Sequence, residues 1–136
     1  PRVFEGRVYV PLSSTEWASA ADPSYECCSF QGGVAAFDAA TGALAWRSYT
    51  IAEAPKPTGE LNSAGARRIH PAGAPVWNSP TIDGKRRRLY VGTGEAYTSP
   101  AADTSDAVIA FDLDTGEKLW HYQSIPHDAW NMACFI

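Results

Sequence analysis

The sequence predicts an all-β fold, because one strand–turn–strand phrase occurs twice and further strand-like segments flank the second copy. The phrase occupies residues 34–46 and 108–120. Its fixed residues are Asp38, Thr41, Gly42 and Trp46 in the first copy and Asp112, Thr115, Gly116 and Trp120 in the second. A repeat of this length indicates an array of similar units. Four-stranded antiparallel sheets repeated around an axis are the blades of a β-propeller, and this is the architecture predicted here.

Each copy of the phrase has the pattern of two strands joined by a tight turn. Val34 and Ala36 alternate with their neighbours, as do Val108 and Ala110, which is typical of half-buried strands. The following Asp-x-x-Thr-Gly segment favours a turn, because Asp accepts hydrogen bonds from nearby backbone groups and Gly adopts positive φ without strain. The Trp that closes each copy is large enough to wedge between neighbouring sheets.

A further hairpin is predicted before the second copy. Residues 76–82 and 88–91 are strand-like, and the Asp83-Gly84 pair between them is a turn signal. With the repeat, these strands give four in meander order. We therefore predict a complete blade over about 76–124. By the same argument, a partial blade covers about 7–50 and the start of a further blade covers about 129–136.

The segments between these blades are predicted to be loops. They cover residues 15–31, 52–75 and 96–106 and are rich in Pro, Gly, Ser, Ala or Asp. No segment has the pattern of an amphipathic helix. Long loops on one face of a propeller often carry function.

Composition narrows the partners that are expected for this chain. The formal charge of −4 disfavours a nucleic-acid partner, and the basic run at 85–88 is interpreted as a solvated turn. The sequence has no apolar run of about 20 residues, so no membrane insertion is predicted. The chain has 136 residues and begins without Met, and a closed propeller of such blades needs more. We therefore expect a fragment of a larger protein.

The three cysteines leave two interpretations open. Cys27 and Cys28 are adjacent, and they form either a pair of free thiols or a vicinal disulfide, which would favour an oxidising compartment. Cys134 stands alone. The spacing excludes a C-x-x-C zinc or redox motif and a C-x-x-C-H haem attachment site. The three histidines show no metal-binding spacing and are interpreted as surface or strand-end residues: His70, His121 and His127.

The repeated A-x-D-x-x-T-G-x-x-x-W phrase resembles the blade signature of the quinoprotein alcohol dehydrogenases. These are eight-bladed propellers that hold pyrroloquinoline quinone (PQQ), so the resemblance implies a fragment of an eight-bladed quinoprotein propeller. Non-catalytic propellers that act as binding scaffolds share the phrase. The choice between the two therefore depends on more specific residues.

Three residues resemble cofactor-binding positions of that family. The run from Ser13 to Glu16 follows a predicted strand; the resemblance implies that Ser13 contacts PQQ and that Glu16 binds the Ca²⁺ against it. Trp77 matches the aromatic floor on which the quinone stacks. Taken alone, Glu16 is a solvated loop carboxylate and Trp77 a core wedge. Their occurrence together, at the family's spacing, favours the cofactor site.

Two later motifs depart from the family pattern. Gly92-Thr-Gly-Glu95 resembles G-T-G-N, whose Asn binds Ca²⁺. The segment 126–131, P-H-D-A-W-N, resembles P-H-D-E-W-D, whose last Asp is the family's proposed general base. The amide of Asn131 cannot accept a proton at neutral pH, although its oxygen can still bind a metal. The resemblance therefore implies Glu16, Glu95 and Asn131 as metal ligands. Glu95 and Asp128 remain as candidate bases, and Glu95 is preferred because it should lie near the metal.

The resemblance implies a PQQ- and Ca²⁺-dependent alcohol dehydrogenase, and the motifs are most similar to the polyvinyl alcohol dehydrogenase branch. It also implies an alcohol substrate, with secondary hydroxyls of a polymer included, a cytochrome c electron acceptor and a periplasmic location. Calcium is expected because Ala133 stands where lanthanide-using relatives carry Asp. The alternative hypothesis is a non-catalytic propeller that acts as a protein-binding scaffold.

Overall fold

A computed structural model describes residues 1–135 of the chain and the side chains of residues 1–133. Its strands are β1 Arg2–Phe4, β2 Arg7–Leu12, β3 Gly33–Asp38, β4 Leu44–Tyr49, β5 Lys56–Leu61, β6 Arg67–His70, β7 Thr81–Asp83, β8 Arg88–Gly92, β9 Ala107–Asp112 and β10 Lys118–Gln123. The short helix α1 covers Glu16–Ser19, and a 3₁₀ helix covers Met132–Phe135. No helix in the described part of the chain has the length and apolar character needed to cross a bilayer.

Two four-stranded sheets make up most of the structure. Strands β1–β4 form the first sheet in chain order, and β7–β10 form the second in the same order, with every neighbouring pair antiparallel. Tyr9 pairs with Ala36 in the first sheet as Tyr90 pairs with Ala110 in the second. The predicted all-β fold with antiparallel four-stranded blades is confirmed.

The repeated turn forms through the Asp side chain. Asp38 Oδ1 accepts hydrogen bonds from the backbone N–H of Ala40 at 3.0 Å and of Thr41 at 2.7 Å, and from the Thr41 hydroxyl at 2.8 Å. Asp112 repeats this pattern with Thr115. These bonds favour the ionised carboxylates and lower the pKa of both Asp side chains. The turn therefore depends on Asp and Thr side chains, so it can be predicted from the local sequence.

The main core lies between the two sheets. Trp46, which closes the first copy of the phrase, packs there and donates from Nε1 to the Leu113 carbonyl of the second sheet at 3.3 Å. The Tyr9 hydroxyl donates to the same carbonyl at 3.4 Å. A Cβ on Gly116 would lie 2.5 Å from Trp46 Cε3, so only glycine leaves room for the indole. Trp46 is therefore the wedge between sheets that the repeat predicts.

The sheets differ from the predicted blades at their first strands. The first sheet has four strands, one more than a partial blade over 7–50, because the three-residue strand Arg2–Phe4 is too short to show a pattern. The second sheet begins only at Thr81. Before it, the backbone N–H of Val76 donates to the Leu12 carbonyl of the first sheet at 2.9 Å. Residue 76 therefore pairs with the first sheet and not with the second.

Three segments that were predicted as loops or strand have other structures. The predicted loop 52–75 contains an antiparallel hairpin of β5 and β6, which was missed because β5 is exposed along its whole length and has no alternation. The predicted loop 15–31 contains α1, which is too short for helical periodicity. The segment 129–136 was predicted to begin a strand. Met132–Phe135 is a 3₁₀ helix instead, and residue 136 lies outside the described residues.

Candidate functional site

Three segments that carry predicted site residues meet beside the two sheets. Segments 13–16, 94–97 and 128–131 follow strands β2, β8 and β10, and β2 and β8 occupy equivalent places in neighbouring sheets. The Ala96 carbonyl accepts a hydrogen bond from the Trp130 N–H at 2.8 Å, and the Ala96 N–H donates to the Asp128 carbonyl at 3.4 Å. These bonds hold the second segment against the third.

Tyr97 joins all three segments. Its hydroxyl donates to the Ser14 carbonyl at 2.9 Å, and its own carbonyl accepts a hydrogen bond from Asn131 Nδ2 at 2.7 Å. The side chain is 1% exposed and its ring stacks on Phe30, with centroids 6.2 Å apart. Burial raises the pKa of Tyr97, and the nearby carboxylates of Glu95 and Glu16 raise it further. Tyr97 is therefore a neutral, buried side chain that lies between the two predicted metal-binding carboxylates.

Glu16 is buried and is held by the loop that follows it. Its Oε1 accepts hydrogen bonds from the Tyr25 hydroxyl at 2.9 Å and from the N–H and hydroxyl of Ser29 at 2.8 and 3.1 Å. Its Oε2 accepts one from the Phe30 N–H at 2.7 Å. These four hydrogen bonds fix the loop to the Glu16 carboxylate. Oε2 accepts only one of them, so it retains a lone pair for a further partner.

Glu95 belongs to a group of carboxylates at the end of β8. Asp106 lies beside it, since the Asp106 N–H donates to the Gly94 carbonyl at 3.0 Å. Burial, with the charges of Asp128 and Glu95, raises the pKa of Asp106 to about 6. Asp106 Oδ2 is buried and accepts no hydrogen bond from the described residues. The structure therefore brings both candidate bases, Glu95 and Asp128, close to a third acid that the sequence did not single out.

Both polar atoms of the Asn131 side-chain amide form hydrogen bonds. Nδ2 donates to the Tyr97 carbonyl, and Oδ1 accepts from the Ala133 N–H at 2.9 Å. The Glu95 carboxylate, by contrast, accepts no hydrogen bond from the groups that the structure describes, and Glu95 is half-buried. Within that same part of the chain, no three His, Cys, Asp or Glu side chains converge in a metal-binding arrangement. The predicted ligand set contains only two carboxylates and one amide.

Ser13 and Trp77 lie at the edges of this assembly. Ser13 is exposed and lines a cavity with Ser29 and Phe30, separate from the cavity that reaches Asn131. Trp77 is 55% exposed, and its Cδ1 would lie 3.7 Å from a Cβ on Gly94, next to Glu95. The structure thus places Trp77 beside the Glu95 segment, whereas it shows no contact between Trp77 and Glu16.

The adjacent cysteines pack against Tyr97. Cys28 is fully buried and packs with Ala72 and Tyr97. The Sγ atoms of Cys27 and Cys28 are in direct contact. Because Glu16 binds Ser29 and Phe30, which follow the pair directly, its carboxylate also fixes the position of the cysteines.

Sequence reasoning missed Tyr97 and Asp106 as members of the site. The partners of Tyr97 are Ser14, 83 positions away, and Asn131, 34 positions away. Asp106 meets Glu95 only because β8 and β9 pair and bring their ends together. A tyrosine and an aspartate in a polar loop give no local signal of such contacts. Only the general expectation that long propeller loops carry function, and the adjoining GTGE motif, pointed to this loop.

The family of the chain follows from comparison with known proteins. The family model described as "PQQ: Glucose/ethanol/alcohol dehydrogenase, beta-propeller domain" matches residues 1–134. The chain belongs to this family. The quinoprotein propeller predicted from the repeat is therefore confirmed, and the paired sheets are part of such a propeller.

Relatives of known activity cover almost the whole chain. The polyvinylalcohol dehydrogenase of a Sphingopyxis species is 42% identical over 132 residues, which are 97% of this chain and 20% of that protein. The polyvinylalcohol dehydrogenase of a Pseudomonas species is 39% identical over 134 residues, 98% of this chain and 21% of that protein. The chain thus spans about a fifth of the length of these relatives.

Solved structures show the same fold. The quinohemoprotein alcohol dehydrogenase of Comamonas testosteroni superposes with a TM-score of 0.66 and 27% identity, over 96% of this chain and 21% of that one. The quinohemoprotein alcohol dehydrogenase ADHIIG of Pseudomonas putida also gives 0.66, with 28% identity over 96% of this chain and 20% of that one.

Proposed function

We propose that the protein containing this chain oxidises alcohols with PQQ and Ca²⁺, and that secondary hydroxyls of a polymer are among its substrates. The observation that carries the proposal is the 42% identity with a polyvinylalcohol dehydrogenase across 97% of the chain. The meeting of segments 13–16, 94–97 and 128–131 around Tyr97 supports it, because a non-catalytic scaffold has no need for that convergence.

The oxygen atoms of the site suit Ca²⁺, which takes six to eight hard oxygen ligands. Glu16 Oε2 and Asn131 Oδ1 each accept one hydrogen bond and keep a lone pair, and the Glu95 carboxylate is unengaged by the described residues. These three residues would hold the ion together with oxygens of the cofactor. The half-exposed indole of Trp77 offers a flat face for a planar ring system, and Ser13 would contact its edge.

The residues of the chain would orient the alcohol and remove its proton. When bound, PQQ would accept the hydride equivalent, which carries the two electrons, from the carbinol carbon, and the metal would polarise a carbonyl of the cofactor. Glu95 accepts the hydroxyl proton, because its carboxylate is free of hydrogen bonds from the described residues whereas the Asn131 amide cannot act as a base. Asp128, whose carbonyl is bound by Ala96, supports the backbone of this region.

The proposed setting follows from the same residues. A vicinal disulfide between Cys27 and Cys28, supported by the contact of their Sγ atoms, would require an oxidising compartment such as the periplasm. Electrons would leave to a cytochrome c.

Reconstitution of the full-length protein tests this function. Addition of PQQ and Ca²⁺ to the apo protein should produce dye-linked oxidation of 2-pentanol that requires both additions. PQQ should also quench the tryptophan fluorescence. Trp77→Ala should weaken PQQ binding at least tenfold, and Trp77→Phe should restore most of it, because a smaller ring still stacks. Neither activity nor quenching would instead support the scaffold hypothesis.

A further inference from the structure

A cavity of about 350 Å³ adjoins the candidate site and is not used by the chemistry proposed above. One side is formed by Tyr97, Ser99 and Asn131, and the opposite side by the β5–β6 hairpin, including Thr58 and Ile69. We call this space the hairpin cavity. Its volume lies within the range of small-molecule pockets. It is lined by Tyr97 and Asn131, so a molecule bound there would lie against the segment that carries Glu95, the candidate base.

The hairpin wall is held in place before any ligand binds. The Ile69 N–H donates to the Cys27 carbonyl at 2.9 Å, and the Cys28 N–H donates to the Ile69 carbonyl at 3.3 Å. Arg67 binds both carboxylate oxygens of Glu26, at 2.8 and 2.7 Å. His70 Nδ1 lies 3.1 Å from the Thr98 hydroxyl. The cavity is therefore a preformed space between anchored elements.

Each arginine that lines the hairpin cavity faces a carboxylate. Arg67 is paired with Glu26, and Arg68 lies 3.8 Å from Glu60. An anionic ligand would have to compete with these carboxylates for the guanidinium groups. The lining therefore favours a neutral ligand.

The remaining lining combines apolar groups with neutral hydrogen-bonding groups. Ala20, Ile69 and Ala129 supply apolar surface, and Thr58, Ser99 and Asn131 supply hydroxyl and amide groups. A carbon chain that bears a hydroxyl on every second carbon matches both kinds of surface at once. We infer that the hairpin cavity binds the neighbouring hydroxyl-bearing segment of an oligomeric polyol while one of its carbinols reacts. This inference rests on the proposed alcohol oxidation and names its substrate class.

Specificity measurements on the full-length protein, loaded with PQQ and Ca²⁺, test the inference. The readout is kcat/KM for 2,4-pentanediol and for poly(vinyl alcohol), each divided by kcat/KM for 2-pentanol. Thr58→Trp places a large ring in the cavity and should lower both ratios at least tenfold. Thr81→Trp is the matched control, because Thr81 is also an exposed strand threonine but does not line the cavity. It should leave both ratios within twofold.

The outcomes separate the inference from the proposed function. Unchanged ratios in an active Thr58→Trp protein, or a wild-type protein that prefers 2-pentanol to both polyols, would overturn the polyol site and leave the alcohol oxidation standing. A wild-type protein without any PQQ-dependent activity would overturn both. If Thr58→Trp does not fold, Arg68→Trp decides by the same criteria, since Arg68 also lines the cavity and is exposed.

Discussion

Tyr97 is the residue on which the geometry of the candidate site depends. It is buried, its hydroxyl holds the segment before Glu16, and its carbonyl holds Asn131. A substitution that removes one of these bonds should therefore loosen the proposed metal-binding residues relative to one another. The sequence could not predict this role, because each partner lies on a different segment.

Tyr97→Phe should reduce the free energy of unfolding of the full-length protein by about 1 kcal/mol, the usual net value of one buried hydrogen bond. It should also weaken Ca²⁺ binding severalfold, because Ser14 and Glu16 lose their link to Asn131. Tyr9→Phe is the matched control, since Tyr9 is equally buried and also donates to a backbone carbonyl, but within the core between the sheets. Urea unfolding should show a stability loss in both variants, smaller for Tyr9→Phe because the Leu113 carbonyl keeps its hydrogen bond from Trp46. Ca²⁺ titration should show an effect only for Tyr97→Phe. Equal calcium effects would contradict the positioning role.

Asp106 should make the stability of the calcium-free protein depend on pH. Its pKa is raised to about 6 by burial and by Asp128 and Glu95, so the folded state holds the proton more tightly than the unfolded state. Stability should therefore fall as the pH rises from about 4 to about 6, and stay lower above that. Asp106→Asn should remove this fall and stabilise the protein at pH 7.5 by roughly 1 kcal/mol, after allowance for solvent screening. Urea unfolding at pH 4 and 7.5 measures this; an unchanged pH profile would rule it out.

Glu16 illustrates what the resemblance could and could not predict about a residue. It lies after β2, near the other site segments, and its role as a metal ligand stays a prediction. Its four hydrogen bonds to the loop 25–30 were not foreseen, because they depend on the folded path of a loop without any strand or helix pattern. The chemistry of a residue is visible in the sequence, whereas its partners are not.

At the scale of elements, strands that repeat or alternate were predictable and exposed strands were not. The Asp-x-x-Thr-Gly turns and the strands beside them were predictable because the same local hydrogen bonds form in both copies of the repeat. The β5–β6 hairpin has no such signal. Its turn is made by Asn62, which accepts from the N–H groups of Ala64 and Ala66, and its position depends on tertiary contacts with Cys27 and Glu26.

Gly116→Ala should cost more free energy of unfolding through the packing between the two sheets than through strain in the turn. A Cβ there would meet the Trp46 indole at 2.5 Å, and the residue has a φ of +76°. Gly65→Ala is the control, because Gly65 has a φ of +85° and nothing within 4 Å of its Cβ. Both substitutions should cost about 1 kcal/mol from the positive φ. Gly116→Ala should cost roughly 1–3 kcal/mol more from overpacking. Equal urea midpoints would show that Trp46 does not hold the sheets together.

At the scale of the whole molecule, the repeat predicted the architecture, whereas the site residues were expected from the resemblance to the quinoprotein family and stay a prediction. Trp46 performs the same role that its place in the repeat indicates, between neighbouring sheets. Trp77, which is not part of the repeated phrase, lies half-exposed beside the Glu95 segment instead. What remained unpredicted, such as Tyr97 and Asp106, depends on contacts between segments that only the fold brings together.

We propose that the Glu95 carboxylate has taken over the proton-accepting role that the resemblance to the family assigns to position 131. The most direct measurement is kcat of the PQQ- and Ca²⁺-loaded full-length protein with Glu95→Asn, alone and combined with Asn131→Asp, which together recreate the family pattern. Glu95→Asn should lower kcat about a hundredfold or more while PQQ still binds, and the double substitution should recover most of the loss. A Glu95→Asn protein that binds PQQ and turns over at the wild-type rate would contradict the claim.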